Sequence, residues 1–330
     1  MESILKELGI KTLSSGLECY DRLMYDGVPC GMITVDCGRT SSGKTILNLQ
    51  KAYSFIKQTE SNVLLIDTEG GLLVTIAGWK SRFEKRFNLE QTGIIHINYK
   101  IKDGTTKWVT DFNKESKQGN IIVTTVRDLF KLYDIHGSPI SLKISEEHGK
   151  FDVIRKPFTY KQNGKTKEVH EELPIEQTPI GILINEFKIS AVIYDSLIEL
   201  FKQRIPSTRY NFPCRATLLH MLLGCMQRIA ETWYMPVIGI THTSRDPADP
   251  KKKRETPSAL NVISYNCKGM TLLRIPYQNP ESVQIYDRLN QRELTIWRHQ
   301  LKPPLSEKYT IQLTELGFVE VKEKESTESE

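Results

Sequence analysis

The sequence predicts an α/β protein: a mostly parallel sheet with helices on both faces, antiparallel strands at its C-terminal edge, and a β-rich insertion. Three observations carry that expectation. Apolar runs alternate with stretches of helical periodicity, a glycine-rich turn sits between the first such run and the first such helix, and hairpin punctuation is confined to the middle and end of the chain.

In chain order, Met32 to Cys37 is a short β-rich run. A Gly/Ser-rich turn follows, and then Thr45 to Gln58, where Ile46, Leu49, Tyr53 and Ile56 recur at near-helical spacing. Asn62 to Asp67 (NVLLID) is a nearly continuous apolar run, the pattern of a strand covered on both faces of a parallel sheet. Ile189 to Asp195 (ISAVIYD) and Pro236 to Thr241 (PVIGIT) repeat it, and between them Leu219, Leu222, Met226, Ile229 and Trp233 mark one face of a long amphipathic helix. Tyr160 to Val169 places Asn163-Gly164 between two alternating arms, a hairpin signal because a two-residue turn needs positive φ. Val283 to Asp287 against Glu293 to Trp297 reads as a second hairpin. The expected organisation is residues 1–98 as the first part of the core, 99–180 as a polar β-rich insertion, 181–320 as the second part of the core, and 321–330 as a tail too polar to pack.

Composition narrows the class. With 330 residues, 39% of them hydrophobic and 26% charged, the chain can bury a substantial core and is neither fibrous nor low-complexity. The longest apolar stretches, such as Leu218 to Leu223, are far shorter than the roughly 20 residues of a membrane helix, and Met1 to Lys11 is charged where a signal peptide is apolar. A cytoplasmic protein with no membrane partner is the expectation. The net charge of +5 permits contact with a polyanion without demanding it. The six cysteines form no C-x-x-C pair and the seven histidines no H-x-x-x-H pair, so free thiols rather than a zinc site or a disulfide framework are expected.

Gly38 to Thr45 reads GRTSSGKT and satisfies G-x-x-x-x-G-K-[ST], with a predicted strand before it and a predicted helix after it. Backbone N–H groups of Gly38, Arg39, Thr40, Ser41, Ser42 and Gly43 are suited to converge on the phosphates of ATP, and the start of the helix directs its positive dipole end at the same anion. Lys44 supplies a point charge at the β- and γ-phosphates, and the Thr45 hydroxyl is placed to ligate Mg²⁺. Two further acids stand at strand ends, where ligands of open α/β sheets bind. Asp195 is suited to hold Mg²⁺ through water, or else to cap a helix starting near Leu197. Either Asp67 or Glu69 is suited to orient and polarise an attacking water.

These pieces together resemble the RecA/RadA recombinase superfamily, in particular the ATPase core of its archaeal RadA-like and RadB-like members. The resemblance covers Leu13 to Glu90 and Ile182 to Val321, and includes SSGLECYDRLMYDGVPCGMITVDCGRTSSGKT, VLLIDTEGG, AVIYDSL, GITHTS, ADPKKK and TIWRHQLKPP. It implies a RecA-type core and a Mg²⁺-dependent, DNA-stimulated ATPase of homologous recombination and repair, associated with the nucleoid. It assigns water activation to Glu69, with Lys44 as its catalytic companion, and makes Asp67 structural. It implies single-stranded DNA, and double-stranded DNA as a second candidate, bound by two basic loops. The first, Lys202 to Arg215, offers Arg204, Arg209 and Arg215, with Tyr210 and Phe212 for stacking. The second, Ser244 to Asn261, offers Arg245, Lys251, Lys252, Lys253 and Arg254. A RadA-type recombinase and further copies of the chain are the implied protein partners.

The chain departs from the family pattern at four points. His242 and Thr243 stand where the family's Asn-Gln pair senses the γ-phosphate, and Ser258-Ala259 stands where a Gly-Gly pair follows the second DNA loop. No helix-hairpin-helix domain is expected ahead of the core, and no F-x-x-A tetrapeptide occurs. The resemblance therefore implies an accessory paralogue rather than the main strand-exchange enzyme, with the 99–180 insertion as an interaction module. A KaiC-like signalling or scaffold ATPase, regulating protein partners without direct action on DNA, is the alternative; a hexameric helicase motor would need a ring-forming region that the sequence does not display.

Overall fold

Apolar runs become strands and amphipathic stretches become helices in the computed structural model, which describes residue 7 and residues 9–102, 105–110, 118–145, 149–162, 165–169, 173–245, 255–276, 290–299 and 307–321. The strands are β1 (Thr12–Leu13), β2 (Val28–Pro29), β3 (Ile33–Gly38), β4 (Asn62–Asp67), β5 (Gly93–Lys102), β6 (Thr105–Thr110), β7 (Asn120–Thr125), β8 (Ile140–Ile144), β9 (Phe151–Arg155), β10 (Phe158–Gln162), β11 (Lys165–Val169), β12 (Ile189–Asp195), β13 (Val237–Arg245), β14 (Glu255–Pro257), β15 (Gly269–Arg274), β16 (Gln291–His299), β17 (Lys308–Thr314) and β18 (Gly317–Glu320). One large sheet runs in the order β18, β17, β16, β15, β3, β13, β12, β4, β7, β5, β6, with β14 paired to β13. From β15 to β5 the neighbours are parallel; β16, β17 and β18 extend it antiparallel at the C-terminal edge.

Alternate residues of the central strands enter two separate cores. Leu64 and Ile66 of β4, with Val192 and Tyr194 of β12, pack among the helices Leu129–Ile135, Pro179–Glu186 and Phe212–Trp233. Val63 and Leu65, with Ala191 and Ile193, pack on the other face among Glu18–Leu23, Lys44–Thr59 and Leu72–Phe87. A strand buried on both sides leaves no polar alternation in its sequence, which is why these runs are continuous. All six cysteines are unbridged and buried. Among the described residues no helix is long and apolar enough to cross a membrane.

The polar middle is less separate than the sequence suggests. β5 crosses the expected boundary at residues 98 and 99, and β7 lies between β4 and β5 in the central sheet, so 99–180 is not one insertion. The physical reason is local: Ile121, Ile122 and Val123 are fully buried between polar neighbours, too short a run to announce a core strand. What stands apart from the central sheet is the pair of two-stranded hairpins β8–β9 and β10–β11. The arms of the second pair Gln162 with Lys165 across Asn163-Gly164, a turn that lies outside the described residues, as do the arm 283–287 and the tail from residue 322.

Two buried polar groups tie elements together. Lys51, in the helix Lys44–Thr59, is fully buried and its ammonium lies 2.5 Å from the Asp36 carboxylate of β3 and 3.7 Å from the Tyr20 ring centroid. Asp36 also accepts from Tyr20 Oη (3.1 Å) and Thr271 Oγ1 (2.5 Å). Burial opposes its ionisation, but Lys51, with Thr271 and Asn48, holds its pKa below the ordinary carboxylate value. His136 is fully buried behind the helix Leu129–Ile135. Its Nδ1 faces the Leu132 carbonyl at 2.6 Å, which can only accept, so Nδ1 carries the proton and Nε2 accepts from Tyr194 Oη at 2.7 Å. Burial pushes this imidazole down to about 4.

Lys51→Met leaves Asp36 charged and unmatched, and the expected loss of unfolding free energy is about 3–5 kcal/mol, with part recovered in Lys51→Met/Asp36→Leu. Urea unfolding of the two variants measures it, and a double variant no more stable than the single one contradicts the pairing. For His136 the folded pKa lies below the unfolded value of 6.5, so its contribution is present above pH 6.5 and is lost as pH falls toward 4. Between pH 7 and 4.5 this amounts to about 2–3 kcal/mol. The same measurement on His136→Gln should show a smaller acid loss than the parent; equal losses would remove His136 as the cause.

Candidate nucleotide site

The phosphate-loop motif occupies the turn from β3 into the helix Lys44–Thr59. Gly38 closes the strand where a Cβ would lie 2.5 Å from the Leu273 carbonyl and 2.6 Å from Ser42 Oγ. The loop then passes through left-handed backbone at Ser41 (φ 63) and Gly43 (φ 97), and the helix begins at Lys44 with no acidic residue in its first turn. An added Cβ at Gly43 would meet Phe318 of β18 at 2.6 Å. The positive end of the helix therefore faces the loop uncompensated, a setting suited to an anion.

Lys44 is buried and folds back over the loop, donating from Nζ to the carbonyls of Gly38 (3.0 Å) and Arg39 (2.7 Å). Burial lowers its pKa, while Asp195 and Glu69 act in the opposite sense. Next to it, Thr45 Oγ1 donates to Asp195 Oδ2 at 2.7 Å, joining residues 150 positions apart. Asp195 ends β12 in register with Asp67 at the end of β4. Burial pushes the Asp195 carboxyl up to about 6, with Glu69 and Asp67 adding to the rise and Thr45 and Lys44 opposing it. The helix after Asp195 starts only at Glu199 with Ile198 as its N-cap, so the carboxylate is engaged with Thr45 rather than with helix amides.

Asp67 and Glu69 separate into different tasks. Asp67 accepts from the backbone N–H groups of Glu69 (3.1 Å), Gly70 (2.7 Å) and Leu72 (3.3 Å), which shapes the turn that presents Glu69. Thr68 fastens that turn to the neighbouring one, its hydroxyl donating to Ser196 O (2.7 Å) and accepting from Ser196 N–H (2.8 Å). Glu69 is partly exposed and accepts from His242 Nε2 at 2.9 Å; that bond holds its pKa below the ordinary glutamate value against the effect of burial. His242 lies on β13 beside Gly38. Strand alternation turns Thr243 to the opposite face, so of the two expected sensing residues one reaches Glu69. A cleft of about 250 Å³ runs between Thr45, Asp67, Glu69, Gly70 and Asp195.

Two contributors carried no signal in the sequence. Glu199, in the first turn of Glu199–Arg204, brings a carboxylate oxygen within 4.8 Å of the ligand atoms of Glu69 and His242. Arg292 of β16 donates from Nε to the Ser42 carbonyl at 2.9 Å, bracing the loop from the antiparallel edge. A glutamate opening a helix and an arginine in an alternating strand both read as solvated surface.

The basic residues are distributed differently from expectation. Lys202 and Arg204 are helical, Phe212 opens the helix Phe212–Trp233, and only 205–211 forms a loop. Arg204 lies 5.2 Å from the Phe130 ring and Arg209 4.7 Å from the Tyr210 ring, both with exposed residues. Arg215 is half-buried and donates from Nε to the Ile205 carbonyl at 3.0 Å, fixing the loop's start. Arg245 ends β13 opposite Glu255 of β14, while Lys251, Lys252, Lys253 and Arg254 lie outside the described residues. Phe201, Phe212 and Arg215 share a cavity of about 500 Å³ with the stretch 256–262, so the first segment adjoins the C-terminal flank of the second. Ala259 in that flank adopts left-handed backbone (φ 55), a conformation that glycine takes without strain.

Gly43→Ala combines a disfavoured φ with contact against Phe318, and a loss of about 1–3 kcal/mol is expected, with part regained when Phe318→Leu opens space. Thermal unfolding of the two singles and the double gives the coupling; strict additivity contradicts the contact.

No protein-family model matches the sequence, and no curated protein matches it. A search of solved structures finds one described as the crystal structure of the RadB recombinase, with a TM-score of 0.52, 18% sequence identity, 94% of this chain covered and 100% of that one. At that identity the likeness is one of architecture: the chain has a RecA-type α/β fold, with the phosphate-loop motif at the turn from a central strand into a helix.

Proposed function

We propose that this protein is an ATPase of the RecA/RadA type, dependent on Mg²⁺ and stimulated by DNA, that acts in homologous recombination and repair as an accessory paralogue of a RadA-type recombinase. The observation that carries the reading is the 2.7 Å bond between Thr45 and Asp195 beside the buried Lys44. A hydroxyl and a carboxylate are hard oxygen donors suited to Mg²⁺, and the loop approaches closely enough at Gly38 that no side chain fits there. When bound with ATP, Mg²⁺ neutralises charge that develops on the phosphoryl oxygens.

The chain's own groups then have distinct tasks. Loop amides from Gly38 to Gly43 and the start of the helix orient the phosphates. Lys44 exchanges two loop carbonyls for phosphate oxygens, so its ammonium moves from an internal contact to the ligand. Thr45 and Asp195 hold the metal side of the site. Glu69, kept ionised by His242, accepts the proton of an attacking water at its carboxylate. A γ-phosphate that draws the His242 Nε2–H donor away from Glu69 changes the position of both, which links nucleotide state to β13 and to the basic segment that follows it.

Likeness in architecture to a RadB recombinase supports recombination as the setting, as do the basic residues Arg204, Arg209, Arg215, Arg245, Lys251, Lys252, Lys253 and Arg254 around two neighbouring segments. Single-stranded DNA is the proposed ligand of these segments, with double-stranded DNA second, in a nucleoid-associated cytoplasmic protein that assembles with further copies of itself.

Lys44→Ala is expected to abolish ATP binding, and Glu69→Gln to retain binding while slowing hydrolysis at least 100-fold. Turnover by Glu69→Gln at the parental rate would refute the assignment of the base. Single-stranded DNA affinity measured with an ATP analogue, with ADP and without nucleotide, at two salt concentrations, tests the rest: four phosphate contacts predict a log-log salt slope of about −2.8. Identical affinities in the three states count against the proposal, and unchanged DNA binding after neutralisation of Lys251 to Arg254 favours the scaffold ATPase instead.

A further inference from the structure

The neighbouring strands β4, β12 and β13 each bring one metal-ligating side chain to the same place at the C-terminal end of the sheet. Glu69 follows β4, Glu199 opens the helix after β12, and His242 stands on β13 itself. One ligand atom from each lies within 4.8 Å of the other two. The cluster includes neither Thr45 nor Asp195, so it is distinct from the oxygen pair beside the phosphate loop.

Two of these atoms already have chelating geometry. His242 Nε2 and Glu69 Oε1 are 2.9 Å apart, and adjacent ligands of an octahedral ion with bonds of about 2.1 Å are separated by about 3.0 Å. An ion entering there replaces the shared proton, and the imidazole stays neutral by carrying its proton on Nδ1 instead. Nδ1 is buried and has no hydrogen-bond partner among the described residues, so the exchange breaks no bond at that end of the ring. Glu199 supplies the third position. Lys202 Nζ lies 3.5 Å from its Oε2, which leaves Oε1, and the partly exposed side chain has room to swing inward by the distance of up to about 2 Å that coordination requires.

A separate observation points to a ligand at the cluster. Ser196 is 2% exposed, its hydroxyl has no hydrogen-bond partner among the described residues, and it faces the Glu69 carboxylate closely enough to favour the charged form. A buried hydroxyl without a partner is costly, and water held by an ion satisfies it. Lys44 and Lys202 oppose a cation here, whereas Asp67 and Asp195 stand behind Glu69 and add carboxylate charge in its favour.

We propose that Glu69, Glu199 and His242 bind a divalent transition ion of the Mn²⁺ class in the nucleotide-free protein, with water in the remaining positions. One imidazole with two carboxylates suits such an ion better than Mg²⁺ or Ca²⁺, which prefer oxygen alone, and better than an ion that prefers thiolates. Occupied, the site ties up the oxygen that Glu69 offers to an attacking water. That consequence rests on Glu69 as the base, whereas the binding itself does not.

The test titrates Mn²⁺ into the full-length protein and its Asp195→Asn variant without nucleotide, following loss of the free-ion paramagnetic resonance signal. Saturable binding that survives Asp195→Asn and weakens at least tenfold in Glu199→Gln is the expected result. Glu199→Asp, which keeps the carboxylate, should recover part of it. Spin-echo measurements on the bound ion should show nitrogen modulation that His242→Gln removes. Absence of saturable binding, binding abolished by Asp195→Asn, an affinity unchanged in Glu199→Gln, or bound Mn²⁺ without nitrogen modulation overturns the proposal. Parental turnover by Glu69→Gln would remove the base and leave these binding results standing, so the two assignments fail separately.

Discussion

The ion pair between Asp36 and Lys51 is the constraint on which the candidate site rests. It joins the strand that enters the phosphate loop to the helix that leaves it, in an interior where neither charge has solvent to fall back on. Two charges buried together tolerate little displacement, because any separation leaves both desolvated and unmatched. The loop from Arg39 to Gly43 is therefore suspended between two elements held in one relative position. Tyr20 and Thr271 extend the same anchorage to the N-terminal helix and to β15.

Around that loop the acids form a graded set. Asp67 spends its oxygens on backbone amides, Asp195 shares one with the Thr45 hydroxyl, and Glu69 faces the cleft with His242 as its donor. Their environments differ accordingly: burial raises Asp195, whereas the imidazole lowers Glu69. Separating the proton affinities of neighbouring carboxyl groups is how one site assigns different roles to similar side chains.

Much of this was legible in the sequence. The central strands β4 and β12 and the motif between β3 and its helix announce themselves, because a continuous apolar run needs cover on both faces and a glycine-bearing loop before a helix is shaped for phosphate. The choice between Asp67 and Glu69 was not legible from residues alone, since both follow the same strand within three positions. Lys51, Arg292 and Glu199 were invisible for a different reason: a charged side chain gives no sign in sequence that tertiary packing will bury or recruit it. β7 was hidden because three apolar residues amid polar ones resemble a hairpin arm. The stretch Lys202 to Arg215 is a loop only by the resemblance, and helical turns claim both of its ends.

The position of β7 has a consequence for how the chain can vary. Because β4 hydrogen-bonds to β7 along five residues, the turn bearing Glu69 inherits its placement from a segment more than fifty positions downstream. Length changes within the middle of the chain are absorbed without moving that turn only where pairing is self-contained, in the ribbons β8–β9 and β10–β11. Variation in length is accommodated at the tips of those ribbons, whereas the arms of β8–β9 stay tied to the core through Ile140, Leu142, Phe151 and Val153, and a cut at residue 99 would divide β5, the strand that continues the sheet beyond β7.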